Sequence, residues 1–264
     1  MDEENLQNNQ GSSDFIQEPQ EELSSTDVMV GIFTEPSDTY ESIGQGSTKK
    51  YWFLPTIIFV VLYLIASFII FSDAQILGDK MDMQFQKAKE KVQEQVKAGK
   101  ISQEQADQSL EIQEKMMNPN SPITQGIAYG WAVIGPFFIL FVLGLLYFIG
   151  LRLFKSTASY GDVLNIIGPA FLISGLQQVI TAVASILLGK ITTIGAAIFM
   201  PADSSGALYS ILFSLDIFSF WFYAIISIGL MKIGRIQPGQ AYGLAFGLWI
   251  IWVLLTSVLG FSFG

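Results

Sequence analysis

The stretch of this sequence that most invites a chemical reading is "SILFSLDIFSFWFYAIISIGLMKIG", Ser210 to Gly234. It is almost wholly apolar and aromatic, and a carboxylate, Asp216, sits inside it. An acid at the centre of a membrane-spanning helix costs about 3 kcal/mol on insertion scales, so it marks a proton or ion site by default. Upstream, "YGDVLNIIGPAFLISGLQQVI" puts Asn165, Gln177 and Gln178 into a second apolar run. Amides in such a run either hydrogen-bond a neighbouring helix or line a polar pathway. A carboxylate and three amides could together move protons or ions. Whether they do depends on where the helices begin and end.

For Asp216 two registers compete. If its helix starts near Ala207, the acid lies mid-membrane. If it starts at Ile217, Asp216 is the N-cap and bonds the backbone N–H of Phe218 or Ser219. Such a cap contributes about 1 kcal/mol, and the acid meets the positive end of the helix dipole. The cap is the cheaper register, and it makes "GALYSILFSL" an interfacial or partly re-entrant helix. Gly168-Pro169 should kink the helix that holds the amides. A kink is where a transporter breaks a helix, but no paired feature in another span supports an inverted repeat.

Other chemistries lack their residues. The sequence has no cysteine and no histidine. That excludes disulfides and histidine-dependent triads, and removes the usual zinc and copper ligands. "GFSFG", Gly260 to Gly264, matches a nucleophile elbow only by letter, since no histidine partner exists. No Walker, dinucleotide or EF-hand pattern appears. No catalytic residue, metal or cofactor is expected.

The elements follow from composition. Of 264 residues, 51% are hydrophobic and 14% charged, against roughly 25% charged in soluble domains. The deficit lies in long uncharged runs, which is the pattern of a membrane protein. The net charge of -9 belongs largely to a tail: 11 of 23 acids precede Gly44, where there is no Lys or Arg. An acidic chain of this kind is not expected to bind nucleic acid. Residues 1–27 lack a basic n-region and an apolar h-region, so no cleaved leader is expected there. They are too polar to fold and should be a disordered acidic tail. In 28–48, Val28, Met29, Ile32 and Phe33 recur at helical spacing, and Pro36 opens a second short turn. This segment should lie on the membrane surface.

Residues 49–264 should form an all-α membrane domain of five transmembrane helices, at about 52–72, 127–149, 163–188, 217–233 and 240–261. The fourth is about 24 Å long at the helical rise, short of a bilayer core of roughly 30 Å. Between the first two spans, 73–123 reads as a helical hairpin of coiled-coil type. Leu77, Met81, Phe85, Ala88, Val92 and Val96 make one apolar stripe. Gly99 ends that helix, Ser102 with Gln105 caps the next, and Asn118, Pro119 and Pro122 stop it. The basic flanks Lys49-Lys50, Arg152/Lys155 and Lys232/Arg235 all fall on one side of a five-span model. This puts the N-terminus in the cytoplasm, and the hairpin and C-terminus outside the cell membrane. Gly239, Gly243 and Gly247 form a small-residue face, as do Gly126 and Gly130. Packing within the bundle is the first expectation for both; homodimerisation is the alternative.

"GIFTEPSDTYESI" before the first span resembles the lead-in of the YIP domain family, the Ypt/Rab-interacting membrane proteins and their bacterial relatives. "LDIFSFWFYAIISIGLMKIGRIQPGQAYGLAFGLWIIW" is similar to that family's most recognisable stretch, with Asp216, Phe218, Trp221, Gly229 and Lys232 in place. The resemblance implies a five-span α-helical domain with a cytoplasmic N-terminus. In eukaryotic members it implies GTPase binding. The Asp-Leu-Tyr-Gly-Pro motif of those members is absent here, and a hairpin is inserted, so that role is not carried over. The sequence looks like the bacterial branch, which would place it in the inner membrane. Two function classes follow. One is a non-enzymatic scaffold that organises membrane or binds membrane or cytoplasmic proteins. The other is a small transporter or channel component using polar residues of the third and fourth spans.

Overall fold

The computed structural model describes residues 22–45, 49–117, 122–190, 192–200 and 206–259. Among these every regular element is a helix, with a single β-bridge pairing Gly195 and Asp216. The elements are α1 (Ser25–Thr34), α2 (Pro36–Gly44), α3 (Phe53–Phe71), α4 (Ala74–Lys97), α5 (Gln103–Met117), α6 (Pro122–Leu153) and α7 (Tyr160–Leu188). A short 3-10 turn (Ala196–Phe199) follows, then α8 (Gly206–Ser214), α9 (Ile217–Lys232) and α10 (Pro238–Leu259).

Four described helices are long and apolar enough to cross a membrane: those containing Phe53–Phe71, Tyr129–Leu153, Tyr160–Leu188 and Pro238–Ser257. The apolar α9 has 16 residues and is shorter. Large apolar side chains on α3, α6 and α10 face outward, among them Phe68, Trp131, Ile134, Ile251 and Leu255. A water-exposed surface of that kind would be anomalous, whereas lipid solvates it.

α7 is the centre. Eleven consecutive residues, Val163 to Ile173, are all buried, and a helix apolar on every side belongs inside a bundle. It contacts α3, α6 and α9, and also α1 and α2. Two glycines open the way to α3. A Cβ on Gly168 would overlap the Trp52 backbone, and one on Gly175 would lie 2.8 Å from Leu62. The two are seven residues apart, so both fall on one face. Phe59 of α3, Phe171 of α7 and Phe222 of α9 form an aromatic chain, with ring centroids 5.0 and 6.1 Å apart. α7 runs through Pro169 without a break in the helix. α6 carries a matching Gly135-Pro136 step in its interior, so the third span is not alone in this feature as the sequence reading holds.

The lead-in segment departs from expectation. Residues 1–21 of the tail lie outside the described residues, but helix begins at Ser25 rather than Val28. Ser24 and Asp27 form a capping box: Asp27 N–H donates to Ser24 Oγ, and Ser24 N–H donates to the Asp27 carboxylate, each at 3.1 Å. These bonds hold the Asp27 carboxyl below its usual range. Of the apolar residues at helical spacing, Val28 and Ile32 are buried on protein, while Phe33 remains exposed. Val28, Ile32, Tyr40 and Ile43 join the core, where α1 touches α7 and α2 touches α9.

α4 and α5 pack on each other. Gly99 sits at φ +68°, and Lys100 N–H donates to the Gln95 carbonyl at 2.9 Å, which closes a Schellman turn. Ser102 and Gln105 make the reciprocal cap that their spacing predicts. Pro122 opens α6 rather than stopping α5, as suits a first-turn proline.

Glycine substitutions test this packing. Gly168→Ala should destabilise the purified protein by about 3 kcal/mol or more, because backbone must move. Gly243→Ala, where nothing lies within 4 Å, should leave stability unchanged or slightly raised. Thermal unfolding in detergent compares the two.

Candidate functional site

Asp216 is the N-cap of α9. Its Oδ1 accepts from the backbone N–H of Phe218 at 2.8 Å and of Ser219 at 2.9 Å. Its Oδ2 accepts from the Ser219 hydroxyl. The residue is only 5% exposed. Three donors and the helix dipole compensate the buried charge. The loop behind it is fixed as well, since Ala196 N–H donates to the Leu215 carbonyl at 3.0 Å. The carboxylate is fully engaged in starting a helix.

Asn165 is equally engaged. Its Oδ1 accepts from Trp52 N–H at 3.2 Å, and its Nδ2 donates to the Lys49 carbonyl at 3.0 Å. One amide thus satisfies backbone groups on both sides of the turn that leads into α3. Gln177 and Gln178 are not brought to these residues. Gln177 is half-buried and Gln178 exposed on the outer half of α7. A Cβ on Gly239, Gly243 or Gly247 would meet no neighbouring atom within 4 Å, and neither would one on Gly126 or Gly130. The expectation that these glycines pack inside the bundle is therefore corrected. Glycines that do so include Gly144, Gly150, Gly168, Gly175 and Gly229; a Cβ on the last would strike Ile166.

The densest polar organisation lies at the other end of α9. Tyr40, fully buried, donates from its hydroxyl to the Ile166 carbonyl at 2.7 Å. Burial pushes its phenol far above the usual range, so it remains a donor. The Lys232 ammonium pairs with Glu41 of α2 at 2.5 Å. The Ser156 hydroxyl donates to the Gly234 carbonyl and ties the α6–α7 loop to the α9–α10 loop. Arg152 donates to the carbonyls of Ser156 and Ala158, and stands over the Phe148 ring, 4.6 Å from its centroid. All three basic flanks therefore meet at one end of the bundle. An open cleft of about 230 Å³ lies there, lined by Glu41, Gly44, Gln45, Met231, Lys232 and Arg235. Among the described residues no three metal-ligating side chains cluster.

This arrangement of lead-in helices, Asp216 cap, Gly229 contact and basic linker can be set beside known families. The Yip1 domain model matches residues 30–260. The chain belongs to the Yip1 domain family. Among curated proteins it is similar to "Membrane protein YknW" of Bacillus subtilis (strain 168). That match is 26% identical over 151 residues, 55% of this chain and 64% of the relative. The match thus covers less than two thirds of that relative's length. No solved structure matches. This Yip1-domain chain is a membrane protein with several apolar helices and a bacterial homologue.

Sequence reasoning finds Asp216 and Asn165 but not Tyr40 or the Lys232–Glu41 pair. Tyr40 lies in the "GIFTEPSDTYESI" stretch, yet its partner is a backbone carbonyl 126 residues away, which no local pattern signals. Substitution at the cap has a clear expectation. Asp216→Asn keeps an oxygen for the two amides and should cost little, whereas Asp216→Ala should cost about 1–2 kcal/mol. Thermal and denaturant unfolding of the purified variants measures the difference.

Proposed function

We propose that this Yip1-domain protein is a non-enzymatic five-helix scaffold that binds partners through its lipid-facing surface. α9 serves as the fourth of the five spans, and its 16 residues reach about 24 Å. The basic end and the N-terminus face the cytoplasm. The α4–α5 hairpin and the C-terminal end of α10 lie on the other side.

The observation that carries this reading is the use of the buried polar groups. Asp216 and Asn165, which a transporter would need, are already bonded to backbone. The small-residue face of Gly239, Gly243 and Gly247 is meanwhile open, and Gln178 is exposed beside lipid. Open glycine faces and outward amides are what membrane helices use to bind other helices. A second copy of this chain and a different membrane protein both suit that seam.

The transport reading retains one specific support. The Tyr147 hydroxyl is buried without a hydrogen-bond partner among the described residues, and two neighbouring helices carry Gly-Pro steps.

The absence of cysteine makes both readings testable. With Gly243→Cys as the sole thiol, a thiol cross-linker in native membranes should yield one discrete adduct, either a dimer or a defined second protein. That adduct should be lost when Gly239 and Gly247 become Leu. Monomer alone, together with ion flux in proteoliposomes that Asp216→Asn abolishes, would establish transport instead. Orientation has its own test. In intact cells an impermeant thiol reagent should label Gln108→Cys in α5 and spare Thr157→Cys in the α6–α7 loop; the reverse pattern would invert the topology.

A further inference from the structure

We propose that the basic end of the bundle is a docking surface for this chain's own acidic segment, residues 1–21. Three observations support it independently of the partner seam. First, the fold gathers the three basic flanks at one end, through the Asn165 bond to Lys49, the Ser156 bond to Gly234 and the Glu41 pair with Lys232. Lys50, Lys155 and Arg235 are exposed there. None has an acid partner among the described residues.

Second, acids from the N-terminal side already use this face. Five described acids precede Lys49. Two of them are paired here: Glu22 with Lys49 at 3.3 Å and Glu41 with Lys232. The six acids of residues 1–21, with no Lys or Arg among them, extend the same charge pattern.

Third, the segment leaves from the middle of this surface. Lys49 Nζ donates to the carbonyls of Glu22 and Leu23, and the Tyr51 hydroxyl donates to that of Leu23 at 2.9 Å. An unconstrained chain of 21 residues has a root-mean-square reach of roughly 25 Å, about the width of two to three helices. Tethering at Lys49 holds the carboxylates at millimolar effective concentration. Single exposed ion pairs are weak and screened by salt, so the contact is reversible and depends on the sum of charges. Anionic headgroups of the adjacent leaflet compete for the same cations and repel the segment. The two pairs already formed favour the chain's own acids.

The test uses the full chain with Ser13→Cys as its sole thiol, carrying a benzophenone, in nanodiscs that contain phosphatidylglycerol. After illumination, adducts should map to loops 152–158 and 232–237. They should fall several-fold in high salt. They should fall as far when the six acids become Asn or Gln, or when Lys50, Lys155 and Arg235 become Gln. Adducts that run to lipid, to α4–α5 or to a second copy would overturn the proposal. So would adducts unchanged by charge neutralisation.

Discussion

Enclosure of α7 is the constraint on which the rest depends. In a bilayer, apolar burial between helices brings little gain, because lipid is as apolar as leucine. Cohesion must come from close contact and hydrogen bonds. Gly168 and Gly175 allow the first on the α3 side. Asn165 supplies the second by bonding Trp52 and Lys49 backbone. Tyr40 does likewise on the α2 side, reaching a carbonyl one turn from Pro169. Proline withholds one amide from the helix, and polar contacts concentrate around that turn.

Much of the fold is legible in the sequence, since long apolar runs and local caps are local signals. α9 begins at Ile217 because Asp216 can cap it. α4 ends at Gly99, and α5 opens on Ser102 and Gln105, for the same kind of reason. Apolar faces were less legible. Hydrophobicity alone does not distinguish a residue facing lipid from one facing protein, so Val28, Ile32 and Tyr40 suit both. Their burial against α7 and α9 is decided by complementary shape at Ile166 and Gly229. The same ambiguity hides the difference between Gly168, which packs, and Gly243, which does not. Spacing marks a small face, but only the partner's position shows whether it is occupied.

The polar groups divide along the α9 axis. At one end a single carboxylate closes a helix terminus and a loop. At the other, cations from three connections gather, and two of them, Lys49 and Lys232, pair with acids from the N-terminal side. Between them the helix is mostly apolar, with the Ser227 hydroxyl bonded to the Tyr223 carbonyl of its own backbone. Such a helix separates two organised ends, each held by its own set of hydrogen bonds and ion pairs.

The sequence separation of these contacts also bears on biosynthesis. Tyr40 meets Ile166 across 126 residues, and Glu41 meets Lys232 across 191. At about 5–20 residues per second, translation of that interval takes roughly 10 to 40 s. α1 and α2 leave the ribosome before α9, yet their final seat does not exist until α9 has emerged. Throughout that interval their apolar side chains are available to chaperones or to lipid. Helices made well before α9 are thus installed only after it, so completion of α9 is the event that licenses their docking.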